Sequence, residues 1–140
     1  RRAVDEAPAG CVLVIDGGGT NRSTVWGGGA TIVAQRRGIR GLVTNGATRD
    51  VEQIRKLGFP VFCAGIAVRG GTRNHQGWIG EAVSVGDVCV NPGDLVVGDL
   101  DGVVVVPSDR IETVLAEAIE YDRKTRIREE ELRSGAPYEG

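Results

Sequence analysis

The stretch GLVTNGATRDVEQIRKLGFPVFCA, residues 41–64, decides the fold class. Residues 41–44 read as a strand. Thr48 is placed to cap a helix running through Leu57, because its hydroxyl can accept a bond from a free N–H in the first turn. Val51, Ile54 and Leu57 recur three apart and give that helix one apolar face. Gly58 stops it, and residues 60–64 form the next strand. Strand, helix and strand in close succession favour parallel pairing through a right-handed crossover.

The pattern extends upstream. CVLVI at residues 11–15 is a continuous apolar run closed by Asp16-Gly17-Gly18-Gly19, a buried strand ending in a special backbone turn. Gly27-Gly28-Gly29 leads into ATIVAQRR, a helix that begins within or just after the glycines and ends at Gly38. Residues 11–64 therefore run β-α-β-α-β. Downstream, residues 81–107 break into short apolar runs separated by Gly86-Asp87, Asn91-Pro92-Gly93-Asp94 and Asp101-Gly102, the turn signals of an antiparallel β-module. Ser108 is placed to cap a long helix to about Ser134, with Glu112 near its first turn. The early part of this helix has an apolar face of Ile111, Leu115 and Ile119. Residues 122–133 are mostly charged and are expected to reach beyond the core, onto a partner subunit.

The 140 residues suffice for a single domain with a core, taken as 1–140. A net charge of −2 supplies no basic field for nucleic acid. No apolar run approaches the roughly 20 residues of a membrane helix, and nothing resembles a secretory signal. Cys11, Cys63 and Cys89 lie far apart within apolar runs, which reads as three buried thiols in a reducing, cytoplasmic compartment. The chain has no methionine and opens on Arg1-Arg2, so an N-terminal portion is expected to be missing.

Three features bear on chemistry. Arg49-Asp50 reads in two ways. Spacing alone favours solvated charges at a helix entrance, where the macrodipole stabilises an acid. Position favours a site, because ligands of βα units gather at strand carboxyl ends and helix starts. A carboxylate there can hold a divalent cation, and a guanidinium beside it can grip a substrate carboxylate. The glycine triplet is the second feature, offering bare N–H groups at a helix start to an anion. His75, the only histidine, follows Gly70-Gly71 with a spacing similar to that of phosphohistidine carrier domains. A local loop hydrogen bond is the simpler account of it. Lys56 and Lys124 fall in helical segments with plain surface explanations.

Taken together, VLVIDGGG at residues 12–19, Arg22, Trp26-Gly27, Gly41-Leu42-Val43, GATRD at 46–50, LGFPV at 57–61, NPGDLVV at 91–97 and DGVVVVP at 101–107 resemble the RraA-like family. That family includes 4-hydroxy-4-methyl-2-oxoglutarate aldolases, which also decarboxylate oxaloacetate, and a regulator of RNase E. The resemblance implies an α/β, three-layer β/β/α swivelling-type fold. It also implies trimers or hexamers with active sites between subunits. In the aldolase branch the Arg-Asp pair is the signature. Carried over, Asp50 holds Mg²⁺ or Mn²⁺, Arg49 contacts a small 2-oxo acid, and backbone amides of the loop at Gly28, Gly29 and Ala30 hold its carboxylate. The reaction passes through a pyruvate enolate, which a Lewis-acidic metal and the guanidinium stabilise. The regulator branch typically lacks the aspartate, and a non-catalytic regulator of a ribonuclease or helicase is the alternative reading. The chain departs from the aldolase pattern where acids are usual: Gly28, Asn45 and Thr125 stand there. Glu52, Glu129 and Glu130 are the acids that could compensate.

Overall fold

In the computed structural model, which describes residues 2–72 and 77–138, every strand of the main sheet pairs with β3 (Gly41–Thr48). β1 (Val12–Ile15) runs parallel to its first half and β2 (Thr24–Trp26) to its last two residues. β4 (Val61–Ile66) runs parallel along the other edge. A strand paired on both edges and covered on both faces reads as continuously apolar, and all of β3 except Asn45 is buried. The register slips by one residue at Asn45-Gly46: Thr44 lies opposite Cys63, but Ala47 lies opposite Gly65. This bulge lets β3 continue to Thr48.

The extension of β3 corrects the expected cap. Thr48 is a strand residue, and its hydroxyl donates to the carbonyls of Trp26 and Arg49. The helix behind it, α3 (Val51–Lys56), starts later, with Asp50 at the N-cap. α2 (Gly28–Arg36) begins inside the glycine triplet, as the sequence indicates. β2 was not foreseen, because three residues are too few to show a strand period. Gly38 and Gly58, both at positive φ, follow the two helices as expected.

With α1 (Arg2–Glu6), these helices cover one face of the sheet. Val4, Ala34 and Ile54 from the helices meet Trp26, Ile39, Leu42 and Phe59. Trp26 stacks on Phe59 with ring centroids 6.3 Å apart, and its indole N–H donates to the Thr31 hydroxyl at 2.8 Å, so its one polar atom is satisfied in the core. On the opposite face, the Phe62 ring fills the space above Gly98. Gly98 belongs to the hairpin of β7 (Leu95–Gly98) and β8 (Val103–Val106). A second hairpin, β5 (Val83–Val85) and β6 (Val88–Val90), turns at Gly86-Asp87, both at positive φ as a type I′ turn requires. Helices, parallel sheet and hairpins make the expected three layers.

Ser108 does not cap the last helix. It opens a short 3-10 turn, and its backbone N–H donates to Asp94 at 3.0 Å. α4 (Ile111–Arg133) follows and has no buried residue. Leu115 and Ile119, expected to face the core, are 57% and 63% exposed. The thiols also differ from expectation: Cys11 and Cys63 are half-buried, Cys89 is exposed, and all three are free. Burial raises the Cys11 thiol above its ordinary pKa. No helix among the described residues is long and apolar enough to cross a membrane.

Asn45, at the bulge, ties the layers together. Its carbonyl accepts the Gly17 N–H at 2.6 Å, while its amide donates to the Asp16 carboxylate at 2.8 Å and the Ser84 carbonyl at 3.3 Å. The Asn45 amide, with the Gly18 N–H, holds the Asp16 carboxyl below its ordinary pKa. A lowered carboxyl pKa contributes stability that is present above the unfolded-state value and is lost as pH falls through the folded one. Asn45→Asp removes both donated bonds and sets two carboxylates together. It is expected to cost about 1 kcal/mol at neutral pH, and less once the pH is below the carboxylate range. Thermal melts across that range check both points.

Candidate functional site

The carboxyl ends of β2, β3 and β4 point the same way, and each runs into a segment that meets the others. β3 leads to Arg49-Asp50 and α3, β2 leads to Gly27 and α2, and β4 leads to the loop at residues 69–71. The Arg49 N–H donates to the Trp26 carbonyl at 3.2 Å, which pins the β3 exit against β2.

Asp50 adopts φ 59° and ψ 36°, the left-handed region that few residues other than glycine occupy. Asp87 is the other such residue described, and its hairpin turn accounts for it. At Asp50 the conformation aims the carboxylate back across the helix start. Its Oδ2 accepts the Gly28 N–H at 3.0 Å and lies 3.6 Å from Arg49 Nε. Among the described residues Oδ1 accepts no hydrogen bond. Both side chains of the pair remain nearly half exposed.

The N-cap residue of α2, Gly27, has no side chain to cap it. The Gly28 N–H goes to Asp50, and the Thr31 N–H closes the first turn on Gly27. The N–H groups of Gly29 and Ala30 are the remaining donors at this helix start, a natural anion seat. The structure thus brings Arg49 and Asp50 against the start of α2, where Gly28, Gly29 and Ala30 lie.

The absence of side chains at two glycines makes room for the pair. A Cβ on Gly27 would stand 2.8 Å from Asp50 Oδ2 and 3.2 Å from Arg49 Cγ. A Cβ on Gly28 would stand 2.0 Å from Gln53 Oε1. The Gln53 carboxamide therefore lies directly on the Gly28 backbone, where a side chain at position 28 would begin. Sequence reasoning missed Gln53. No local sequence signal marks it, because its contact is with a residue 25 positions earlier. The compensating acids are elsewhere engaged: Glu52 pairs with Lys56 at 2.6 Å and Glu129 with Arg133 at 3.5 Å. Glu130 and Thr125 lie on α4, and Lys124 pairs with Glu120. No group of three or more His, Cys, Asp or Glu that could hold a metal is found among the described residues. His75 lies outside the described residues.

A parallel βα sheet here sets a guanidinium and an aspartate in the left-handed region against a glycine-led helix start, the arrangement of an α/β protein. A model of the RraA-like family, described as Aldolase/RraA, matches residues 1–105. The chain belongs to that family. It is 38% identical to a protein of Halalkalibacterium halodurans named as a putative 4-hydroxy-4-methyl-2-oxoglutarate aldolase, across 91% of this chain and 61% of the relative. It thus spans about three fifths of that curated relative's length. An uncharacterized protein from Pseudomonas syringae has a similar structure, with TM-score 0.93 and 29% identity over 97% of this chain and 64% of that one. The RNA-processing inhibitor RraA from Thermus thermophilus is similar too, with TM-score 0.71 and 31% identity over 76% and 65%.

Gly27→Ala forces a methyl against Asp50 and Arg49 and is expected to cost about 1–3 kcal/mol by urea denaturation. At Gly29 a Cβ meets nothing within 4 Å among the described residues. Gly29→Ala should therefore match or slightly exceed the wild type in the same experiment.

Proposed function

We propose that the protein is a divalent-metal-dependent lyase acting on a small 2-oxo acid. The reactions are retro-aldol cleavage of substrates of the 4-hydroxy-4-methyl-2-oxoglutarate type, decarboxylation of oxaloacetate, or both. The observation that carries this reading is Asp50, held in a left-handed conformation beside Arg49 with one carboxylate oxygen fixed by the Gly28 N–H. Membership of a family whose relatives include named aldolases supports it.

The donor set suits Mg²⁺ or Mn²⁺. Such hard cations keep several waters and take one or two carboxylates together with the substrate, and Asp50 is the carboxylate at hand. When bound, the metal supplies Lewis acidity at the 2-oxo group. Arg49 binds the 2-oxo acid and stabilises the negative charge that develops on the enolate oxygen. The Gly29 and Ala30 N–H groups, with Gly28 behind them, seat the substrate carboxylate at the positive end of α2. In decarboxylation the bond to the departing carboxylate breaks, its electron pair forms the enolate, and a proton from solvent yields pyruvate. This asks less of the described residues than retro-aldol cleavage, which must also take a proton from a hydroxyl.

The uncovered apolar face of α4 supports a homotrimer or hexamer in which a neighbour completes the site. Three free thiols suit a cytoplasmic setting. A second reading, a non-catalytic regulator of an RNA-processing enzyme, is favoured by the bare Gly28 and by the structural likeness to an RNA-processing inhibitor. Recovery of a ribonuclease or helicase by the wild-type protein and by Asp50→Asn alike would favour it.

The test is pyruvate release from oxaloacetate with and without Mg²⁺ or Mn²⁺. Asp50→Asn is the cleanest control, because asparagine tolerates the left-handed backbone. It should fall to the background rate while staying folded, and Arg49→Lys should lower kcat by about a hundredfold. Equal rates in wild type and Asp50→Asn would sink the enzymatic reading.

A further inference from the structure

We propose that Gly70, a residue outside the Arg-Asp motif, is a positioning residue for Arg49, and that the loop at residues 69–71 is the wall that sets where the guanidinium points. The inference rests on the reading of Arg49 as the substrate anchor.

Two backbone hydrogen bonds lash this loop to β2. The Thr24 N–H donates to the Arg69 carbonyl at 2.8 Å, and the Gly71 N–H donates to the Thr24 carbonyl at 3.1 Å. Gly70 is held between them, bridged to Thr24. A Cβ on Gly70 would stand 2.9 Å from Arg49 Nη1, with no other such neighbour within 4 Å among the described residues. From the other side, a Cβ on Gly27 would stand 3.3 Å from Arg49 Nε. The guanidinium therefore runs in a slot between two stretches of bare backbone. The next glycine does a different job: a Cβ on Gly71 would press to 2.8 Å on the Thr24 carbonyl oxygen, a backbone atom that cannot swing away.

The adjacent glycines separate function from folding. A methyl at 70 meets the far end of a flexible side chain, so the fold absorbs it and the guanidinium moves. A methyl at 71 meets the sheet edge, so the fold bears the cost. A displacement approaching 1 Å at a positioning group costs up to about a hundredfold in rate.

The experiment compares wild type, Gly70→Ala, Gly71→Ala, Arg49→Lys and the double variant Gly70→Ala/Arg49→Lys. It measures metal-dependent pyruvate formation, melting temperature, and the NMR resonance of the Arg49 side-chain Nε–H, assigned by its loss in Arg49→Lys. Gly70→Ala should keep the wild-type melting temperature, move the Arg49 resonance and lower kcat/KM roughly ten- to hundredfold. Gly71→Ala should melt lower. In the Arg49→Lys background, which lacks the crowded nitrogen, Gly70→Ala should cost nothing more. An unmoved resonance, an unchanged kcat/KM, or full additivity in the double variant overturns the proposal. If wild type forms no pyruvate with metal, the lyase reading falls, and the resonance alone then decides whether Gly70 positions Arg49.

Discussion

β3 satisfies its backbone on both edges inside a covered sheet, and the helical crossovers through α2 and α3 lay its neighbours down in one direction. Parallel pairing sends the carboxyl ends of β2, β3 and β4 to the same rim. Three loops then emerge side by side, although they lie about twenty residues apart in sequence. The one-residue slip at Asn45-Gly46 carries the strand on to Thr48, which delivers Arg49 and Asp50 against the start of α2. The site is thus a by-product of strand direction, refined by one bulge.

Much of this was legible in the sequence. The β-α-β-α-β order followed from apolar runs and helical spacing, and the hairpins followed from Gly86-Asp87 and Asp101-Gly102. Position at the end of a strand singled out Arg49-Asp50. The two hydroxyl caps were misread for a shared reason. A Thr or Ser before an apolar run is a local signal, and tertiary pairing overrode it at Thr48, while the Ser108 N–H donates to the Asp94 carboxylate instead. The conformation of Asp50 was not legible, because aspartate tolerates a left-handed backbone but more often adopts another. Gln53 lies on a residue 25 positions earlier and Gly70 lies against one 21 positions earlier, and no single-sequence pattern reports a contact across such distances.

The second half of the chain is held differently from the first. The helical face of the sheet closes on a dense cluster around Trp26, Leu42 and Phe59. The hairpins and α4 leave Val97, Leu100, Val104, Leu115 and Ile119 in solvent. α4 is laced by exposed ion pairs at three- and four-residue spacing, such as Glu120 with Arg123 and Asp122 with Arg126. Exposed pairs of this kind are screened by solvent and anchor the helix only weakly.

The left-handed backbone at Asp50 also acts as a filter on how this chain can drift. Few residues occupy that region without strain: glycine, asparagine and aspartate. Asparagine differs from aspartate by one atom and by its charge. A lineage can therefore shed the carboxylate through the mildest of substitutions and keep its fold, its sheet and its surface. The fold would carry no record of that loss.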